Sequence, residues 1–290
     1  MSIYNIFLGY GGISQYLINN SLRLRSSASA YLSRTPASTT NQKTFTISLW
    51  VKRGTLGSST YNTFFYAGAN STYWFQARFG ADSIQVTGTT SGGSTAIDFT
   101  TNAVYRDPSS WYHVVIAIDT TQATAANRQF IYVNGVSQTL TQNTQVAQNT
   151  SLAVNQNVIH TIGVLNYATA NYFDGYLAEY NFIDGQALTP TSFGAYNTIS
   201  GVWQPIRYTG TYGTNGFYLP FSNTTSTTTL GYDSSGNSNN WTCNNISLTA
   251  GSTYDAMIDS PTLSAAASNY AVMNPAVSYT HLTLPTNREV

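Results

Sequence analysis

Charge is what this sequence has least of. Only 8% of its 290 residues are Asp, Glu, Lys or Arg, and the two signs cancel to zero. Typical soluble domains carry about a quarter. Glu and Lys are nearly missing, at two each: Glu179, Glu289, Lys43 and Lys52. That shortage of strong helix formers excludes a mainly helical fold. With no basic excess, the chain has no electrostatic footprint for nucleic acid or for an anionic membrane surface. Cysteine occurs once, at Cys243, so no internal disulfide can form. This fits folding in a reducing cytosol, with Cys243 as a small buried apolar residue. No apolar run reaches transmembrane length, so membrane insertion is not expected. The opening Met1-Ser2-Ile3-Tyr4-Asn5 lacks the basic stretch of a secretory signal.

Ser, Thr, Asn, Gln and Gly stand in place of the charge, together with 22 Tyr, and 42% of residues are hydrophobic. β-Branched and aromatic side chains suit a pleated surface. From Lys43 to Arg53, Phe45, Ile47, Leu49 and Val51 alternate with Thr44, Thr46, Ser48 and Trp50, the period of a strand with one buried face. Strands are expected over 62–68, 72–79 and 83–87, with a Thr/Gly/Ser loop at 88–94. Trp111 to Asp119 is apolar on both faces and should lie centrally. Arg128 to Val133 ends at Asn134-Gly135, a strong signal for a type I′ hairpin. Strands at 158–163 and 172–183 complete the set, and Thr189-Pro190 opens one helical turn. Many short strands with turn signals between them predict an all-β antiparallel sandwich or jelly roll.

Four segments carry a resemblance: Phe45 to Lys52, Trp111-Tyr112-His113-Val114-Val115, Phe130-Ile131-Tyr132-Val133-Asn134-Gly135, and Phe173 to Glu179 running on to Leu188. In this order and spacing the chain resembles the concanavalin A-like, laminin-G-type jelly rolls over residues 21–197. Where many such relatives have an Asp-Glu pair, this chain has Ala178-Glu179. Segments 201–219, 233–241 and 259–262 are similar to extensions of jelly-roll proteins in tailed phages. That resemblance implies a virion protein that folds in the host cytoplasm, with other virion subunits or a host-surface glycan as partners and homo-oligomers among its states. Residues 1–20 are expected as an N-terminal segment and 198–276 as a loop-rich extension, a truncated second module. Residues 277–290 resemble a translated sequencing-library adapter (Val277-Ser278-Tyr279-Thr280-His281-Leu282) and are set aside, with the natural protein expected to continue past Ala276.

The candidate site residues follow from chemistry. Sugar binding uses exposed aromatics beside hydrogen-bonding groups. Tyr73, Trp74, Tyr105, Tyr167 and Tyr172, with Tyr61, lie near expected strand ends. Calcium is implied by the resemblance, and Asp119, Asp174 and Asp184 at strand ends are its candidate ligands, beside the oxygen-rich turn Asp233-Ser234-Ser235-Gly236-Asn237. A glycosidase needs two carboxyl groups flanking the bond, and Glu179 is the sole Glu before the adapter-like tail. Only His113 and His160 remain as histidines, in no zinc-binding spacing, and His113 reads as a packed strand residue. The sequence therefore points to a non-enzymatic module, structural or adhesive. A lectin-like receptor binder is the alternative, and a glycan depolymerase the remote third.

Overall fold

Side chains alternate across a strand, so each apolar stripe in this sequence selects one face for burial. The computed structural model describes residues 16–57, 61–263 and 267–269. Residues 277–290 and most of the N-terminal segment lie outside the described residues. In chain order the strands begin β1 (Ser21–Leu24), β2 (Tyr31–Arg34), β3 (Thr44–Arg53), β4 (Tyr61–Gly68), β5 (Trp74–Gly80) and β6 (Ser83–Thr89). Next come β7 (Thr95–Thr101), β8 (Tyr112–Asp119), β9 (Gln129–Val133), β10 (Val136–Ser137), β11 (Leu140–Thr144) and β12 (His160–Ile162). The last are β13 (Gly175–Asp184), β14 (Gly194–Tyr196), β15 (Trp203–Pro205), β16 (Phe217–Leu219), β17 (Thr242–Asn244) and β18 (Ala256–Met257). A single helical turn, α1 (Thr227–Leu230), precedes β17.

Two eight-stranded antiparallel sheets form the sandwich. The first runs β10-β9-β8-β3-β13-β1-β18, with β16 also paired to β13. The second runs β11-β7-β6-β5-β4-β12-β2-β17. Between them, Phe45, Ile47, Leu49 and Val51 of β3 pack with Val114, Ile116 and Ile118 of β8 and with Phe75, Ala77 and Phe79 of β5. Phe182 stacks between Phe45 and Phe65, at centroid distances of 6.0 and 5.6 Å. The Asn134-Gly135 turn has φ of +49° and +82°, as a type I′ hairpin requires. The expected jelly-roll sandwich is present.

The first sheet is buried on its outer face too, which the β3 alternation does not anticipate. Residues 186–212, including the β14–β15 hairpin, lie across it. Thr46 donates to the Gln186 carbonyl at 2.7 Å. Trp50 and Trp203 both lie near-parallel to the His113 ring, 5.0 and 5.9 Å between centroids. Trp203 Nε1 donates to His113 Nδ1, and Nε2 of that ring meets Ser48 Oγ at 3.0 Å. Burial pushes His113 down to about 3, so it is a neutral packing residue.

Residues 198–276 were expected as a truncated second module, and for the described residues 198–263 the structure corrects this. β16 pairs with β13, β17 extends the second sheet beside β2, and β18 extends the first beside β1. Phe217, Leu219, Phe221, Leu230, Trp241 and Ile246 enter the same core as β3 and β8. Asp255 binds Arg25 at 2.7 Å and Asp259 binds Lys52 at 2.8 Å, tying the late segment to β1 and β3. The boundary escaped the sequence because these strands are two or three residues long, too short for a period to show. At about 1.5–3 kcal/mol per buried large side chain, those six contribute on the order of 10 kcal/mol, comparable to a domain's whole stability. A chain ending at Asn197 is therefore expected not to fold, whereas one ending at Asn269 should melt cooperatively by near-ultraviolet circular dichroism. Cooperative melting of the shorter chain would restore the two-module view.

Candidate functional site

The outer face of the second sheet carries the side chains that β5 directs away from the core, of which Gln76 is fully buried. Because Phe75, Ala77 and Phe79 point into the core, Trp74, Gln76 and Arg78 must point out. The register then lines up two rows across the strands. Tyr66, Gln76, Thr87 and Asp98 are successive partners across β4, β5, β6 and β7. Thr63, Arg78, Gln85, Thr100 and Thr141 are partners from β4 to β11. At about 4.8 Å per strand the second row spans about 19 Å.

Hydrogen bonds hold these side chains in place. Gln76 Nε2 donates to Thr63 Oγ1 at 2.6 Å, and Arg78 Nη1 donates to Gln76 Oε1 at 3.1 Å. Arg78 also grips Gln85 Oε1 through Nε and Nη2, at 3.1 and 2.9 Å. Gln85 Nε2 donates to Asp98 Oδ1 at 2.8 Å, and Asn143 Nδ2 to Asp98 Oδ2 at 3.1 Å. The Arg78 guanidinium lies 4.3 Å from the Tyr61 ring centroid, and the ring is 45% exposed. Thr63, Tyr66 and Gln76 are fully buried, so a ligand laid on this face meets Arg78, Gln85, Asp98, Thr100 and Thr141, with little side-chain freedom left to lose.

An aromatic trio closes one end. Tyr167, in the turn after β12, sits 6.0 Å from Trp74 and 6.1 Å from Tyr66. Tyr167 is 42% exposed, while Tyr66 lies beneath it and its hydroxyl finds no hydrogen-bond partner among the described residues. Gly68 makes the approach possible, since a Cβ there would lie 2.7 Å from Trp74 Cβ and against the Tyr66 hydroxyl.

Two sequence candidates, Trp74 and Tyr167, thus come together. The others do not join them. Tyr73 packs partly against the core and accepts from Gln42 and Gln156, both at 3.4 Å. Tyr105 is 6% exposed, edge-on to Phe79 and Tyr112, and bonds Gln138; as a core residue it cannot serve as a surface platform. Tyr172 packs on Tyr31 of β2. Tyr66, Gln76, Arg78, Gln85 and Asp98 were missed, although the apolar triplet of β5 already implied an opposite face.

The three aspartates are not brought into one place. Asp119 and Asp184 flank β3 at one end, about 10 Å apart across two strand spacings, and Asp174 lies at its other end, about 30 Å away. Asp184 accepts from Thr40, Asn155 and the Asn215 backbone at 2.7, 2.9 and 3.0 Å. Asp174 accepts from the Ser26 backbone and Thr55 at 3.1 and 2.6 Å. Although burial pushes Asp119 up, hydrogen bonds from Gln122 and Thr121 outweigh it and hold the carboxyl below its usual range. Asp233 is bonded within its own turn by Ser235 and Asn239. No group of three His, Cys, Asp or Glu side chains converges among the described residues.

The sequence pattern of the Concanavalin A-like lectin/glucanases superfamily matches residues 26–192, more than half of the chain. The chain belongs to that superfamily. The matched span contains the whole outer-face platform of this concanavalin A-like sandwich. No curated protein sequence matches the chain. Among solved structures it is similar to a putative carbohydrate binding protein from Bacteroides ovatus, with a TM-score of 0.50 and 15% identity over 79% of this chain and 59% of that one. It is also similar to the heptameric pentraxin of Limulus polyphemus (TM-score 0.42, 14% identity, 59% of this chain and 78% of that one). A third is the mouse laminin α1 chain, domains LG4-5 (TM-score 0.43, 12% identity, 70% of this chain and 48% of that one). The chain spans about half to three-fifths of the laminin and Bacteroides proteins, and at these identities the likeness is one of fold.

Proposed function

We propose that this concanavalin A-like chain is a non-enzymatic glycan-binding module and that the outer face of its second sheet holds the glycan. The carrying observation is the accessible part of the two cross-strand rows, Arg78, Gln85, Asp98, Thr100 and Thr141, on the same face as the paired rings of Trp74 and Tyr167. Flat aromatic faces stack on the apolar faces of sugar rings, and fixed amides and hydroxyls match their hydroxyl groups. The accessible row from Arg78 to Thr141, about 14 Å long, suits an extended chain of sugars better than a single ring. The platform's one carboxylate, Asp98, is engaged by Gln85 and Asn143, which supports binding without bond cleavage. The setting we infer is the surface of a phage particle, where the module contacts host-surface glycan or neighbouring subunits. The phage-like segments of the sequence support that setting.

The test is a glycan array probed with a chain ending at Ala276, in Ca²⁺ and again in EDTA. Saturable binding is expected, with Trp74→Ala and Arg78→Ala each weakening it on the order of tenfold, the equivalent of about 1.4 kcal/mol. Binding should survive EDTA; loss there would assign a calcium requirement and direct attention to Asp119, Asp174 and Asp184. Binding unchanged in both variants would remove the platform from the account.

A further inference from the structure

Glu179 departs twice from the strand it belongs to. Its φ is +49°, a left-handed conformation that L-residues other than Asn and Asp seldom adopt. The pairing of β13 with β3 also slips between Ala178 and Asn181, a bulge of the kind that re-aims a side chain. The carboxylate so aimed is 8% exposed. Tyr218 Oη donates to its Oε1 at 2.6 Å and Tyr16 Oη to its Oε2 at 3.0 Å, and the two phenols lie 2.8 Å apart. None of the ion pairs among the described residues includes it. Arg207 lies over the Tyr218 ring instead, 5.4 Å from the centroid.

Beside this carboxylate opens a cavity of about 310 Å³, lined by Tyr16, Asn19, Asn20, Tyr218 and Ser222 and, as its one cation among the described residues, by Arg207. Every one of those side chains except Arg207 can accept a hydrogen bond. Two phenols leave a carboxylate with unused lone pairs, and Arg207 acts on this buried one only from beyond ion-pair distance. Tyrosine faces attract cations, as Arg207 over Tyr218 already illustrates. A primary ammonium supplies three donors and a positive charge in direct contact with the carboxylate. We propose that this cavity binds a primary ammonium group, with Glu179 as its counter-ion and Tyr16 and Tyr218 as its aromatic walls. The site lies on the other sheet from the glycan platform and stands independently of it.

Affinity should depend on pH. The groups facing Glu179 are Tyr16 from the N-terminal segment, Tyr218 of β16, Tyr212, Arg207 and, against the Tyr218 backbone, Asp233. Burial pushes Glu179 up to about 7, Tyr16 up to about 12, and Tyr212 and Tyr218 upward as well. The carboxyl is therefore the member of this cluster that changes charge near neutrality, and an ammonium binds its ionised form.

Isothermal titration calorimetry of the full chain at pH 8 tests this with two probes. Nα-acetyl-lysine amide represents a protein side chain and putrescine a free amine; the neutral controls are the Nε-acetylated lysine and N,N′-diacetylputrescine. Saturable binding of either ammonium, with the neutral control at least tenfold weaker, is expected and names the source. Affinity should fall about tenfold from pH 8 to pH 6, following the ionised fraction of Glu179. Glu179→Gln should weaken binding at least tenfold, whereas Arg207→Ala, which removes a competing positive charge, should strengthen it. Ser222→Trp, at the exposed rim, should block binding in a protein whose melting temperature shows it is folded. Equal binding of the neutral controls, no binding of either ammonium to folded protein, or undiminished binding by folded Glu179→Gln would each overturn the proposal.

Discussion

Glu179→Gln is expected to be more stable than the wild type by about 3 kcal/mol at pH 8, and indistinguishable from it near pH 4. Burial raises the folded-state carboxyl from 4.5 to about 7, against the smaller lowering effect of the Tyr218 and Tyr16 hydrogen bonds. Between those values the folded protein holds a proton that the unfolded chain has released. Stability from this group is thus full at low pH and lost as pH rises, at about 1.4 kcal/mol per unit, until the folded carboxyl has also ionised above about 7. Gln keeps the geometry: its amide oxygen accepts from Tyr218 and its amide nitrogen can donate to the Tyr16 oxygen. The variant therefore escapes the loss.

Two buried histidines act in the opposite sense. His113 and His160 are pushed down by burial from 6.5 to about 3 and about 4. Their contribution is present above 6.5 and lost as pH falls, so both proteins should be acid-labile. That effect is common to wild type and variant and cancels in their difference, which is the quantity to plot from urea melts at several pH values. A flat difference would mean that Glu179 is solvated in the folded protein.

Asp259→Asn should cost about 3–5 kcal/mol, the usual penalty for leaving one member of a buried ion pair behind. Lys52 is fully buried and Asp259 nearly so, with 2.8 Å between Nζ and Oδ2. Asp259 also accepts from Trp111 Nε1 at 3.0 Å through Oδ1, and Asn retains that acceptor. The loss is then chiefly electrostatic. Lys52 keeps its hydrogen bond to Asn269 at 2.8 Å, but adding Lys52→Met removes the charge that has lost its carboxylate, so the double variant should be more stable than Asp259→Asn alone, because exchanging both charges for neutral groups is often nearly neutral. Urea denaturation of the three proteins decides it, and a double variant weaker than Asp259→Asn would show that Lys52 has other indispensable partners.

Much of the fold was legible because its long strands are strictly alternating. β3 and β8 announce themselves through Phe45, Ile47, Leu49, Val51, Val114, Ile116 and Ile118, and the Asn134-Gly135 turn through its backbone demands. β7 did not, since Thr95–Thr101 reads as a continuation of a Ser/Thr/Gly loop until Ile97 and Phe99 are seen in the core. The site was half legible. Trp74 and Tyr167 could be named as aromatics, but their meeting depends on a turn 93 positions further along the chain returning to β5. Glu179 looked like an ordinary strand residue. Its role depends on a bulge and on Tyr16 and Tyr218, partners 163 and 39 positions away, which no local pattern can reveal.

The pairing of the earliest described strands with the latest ones bears on how the molecule is made. Ser21 of β1 sits opposite Met257, and Ser33 of β2 opposite Thr242. Such contacts close loops of more than 200 residues, the kind of topology that folds slowly because the closure entropy is spent before the contacts reward it. During synthesis β1 and β2 leave the ribosome long before the strands that cover their edges. Until those strands emerge the nascent protein is an open sandwich with bare strand edges, and their covering waits on the arrival of residues 242–257.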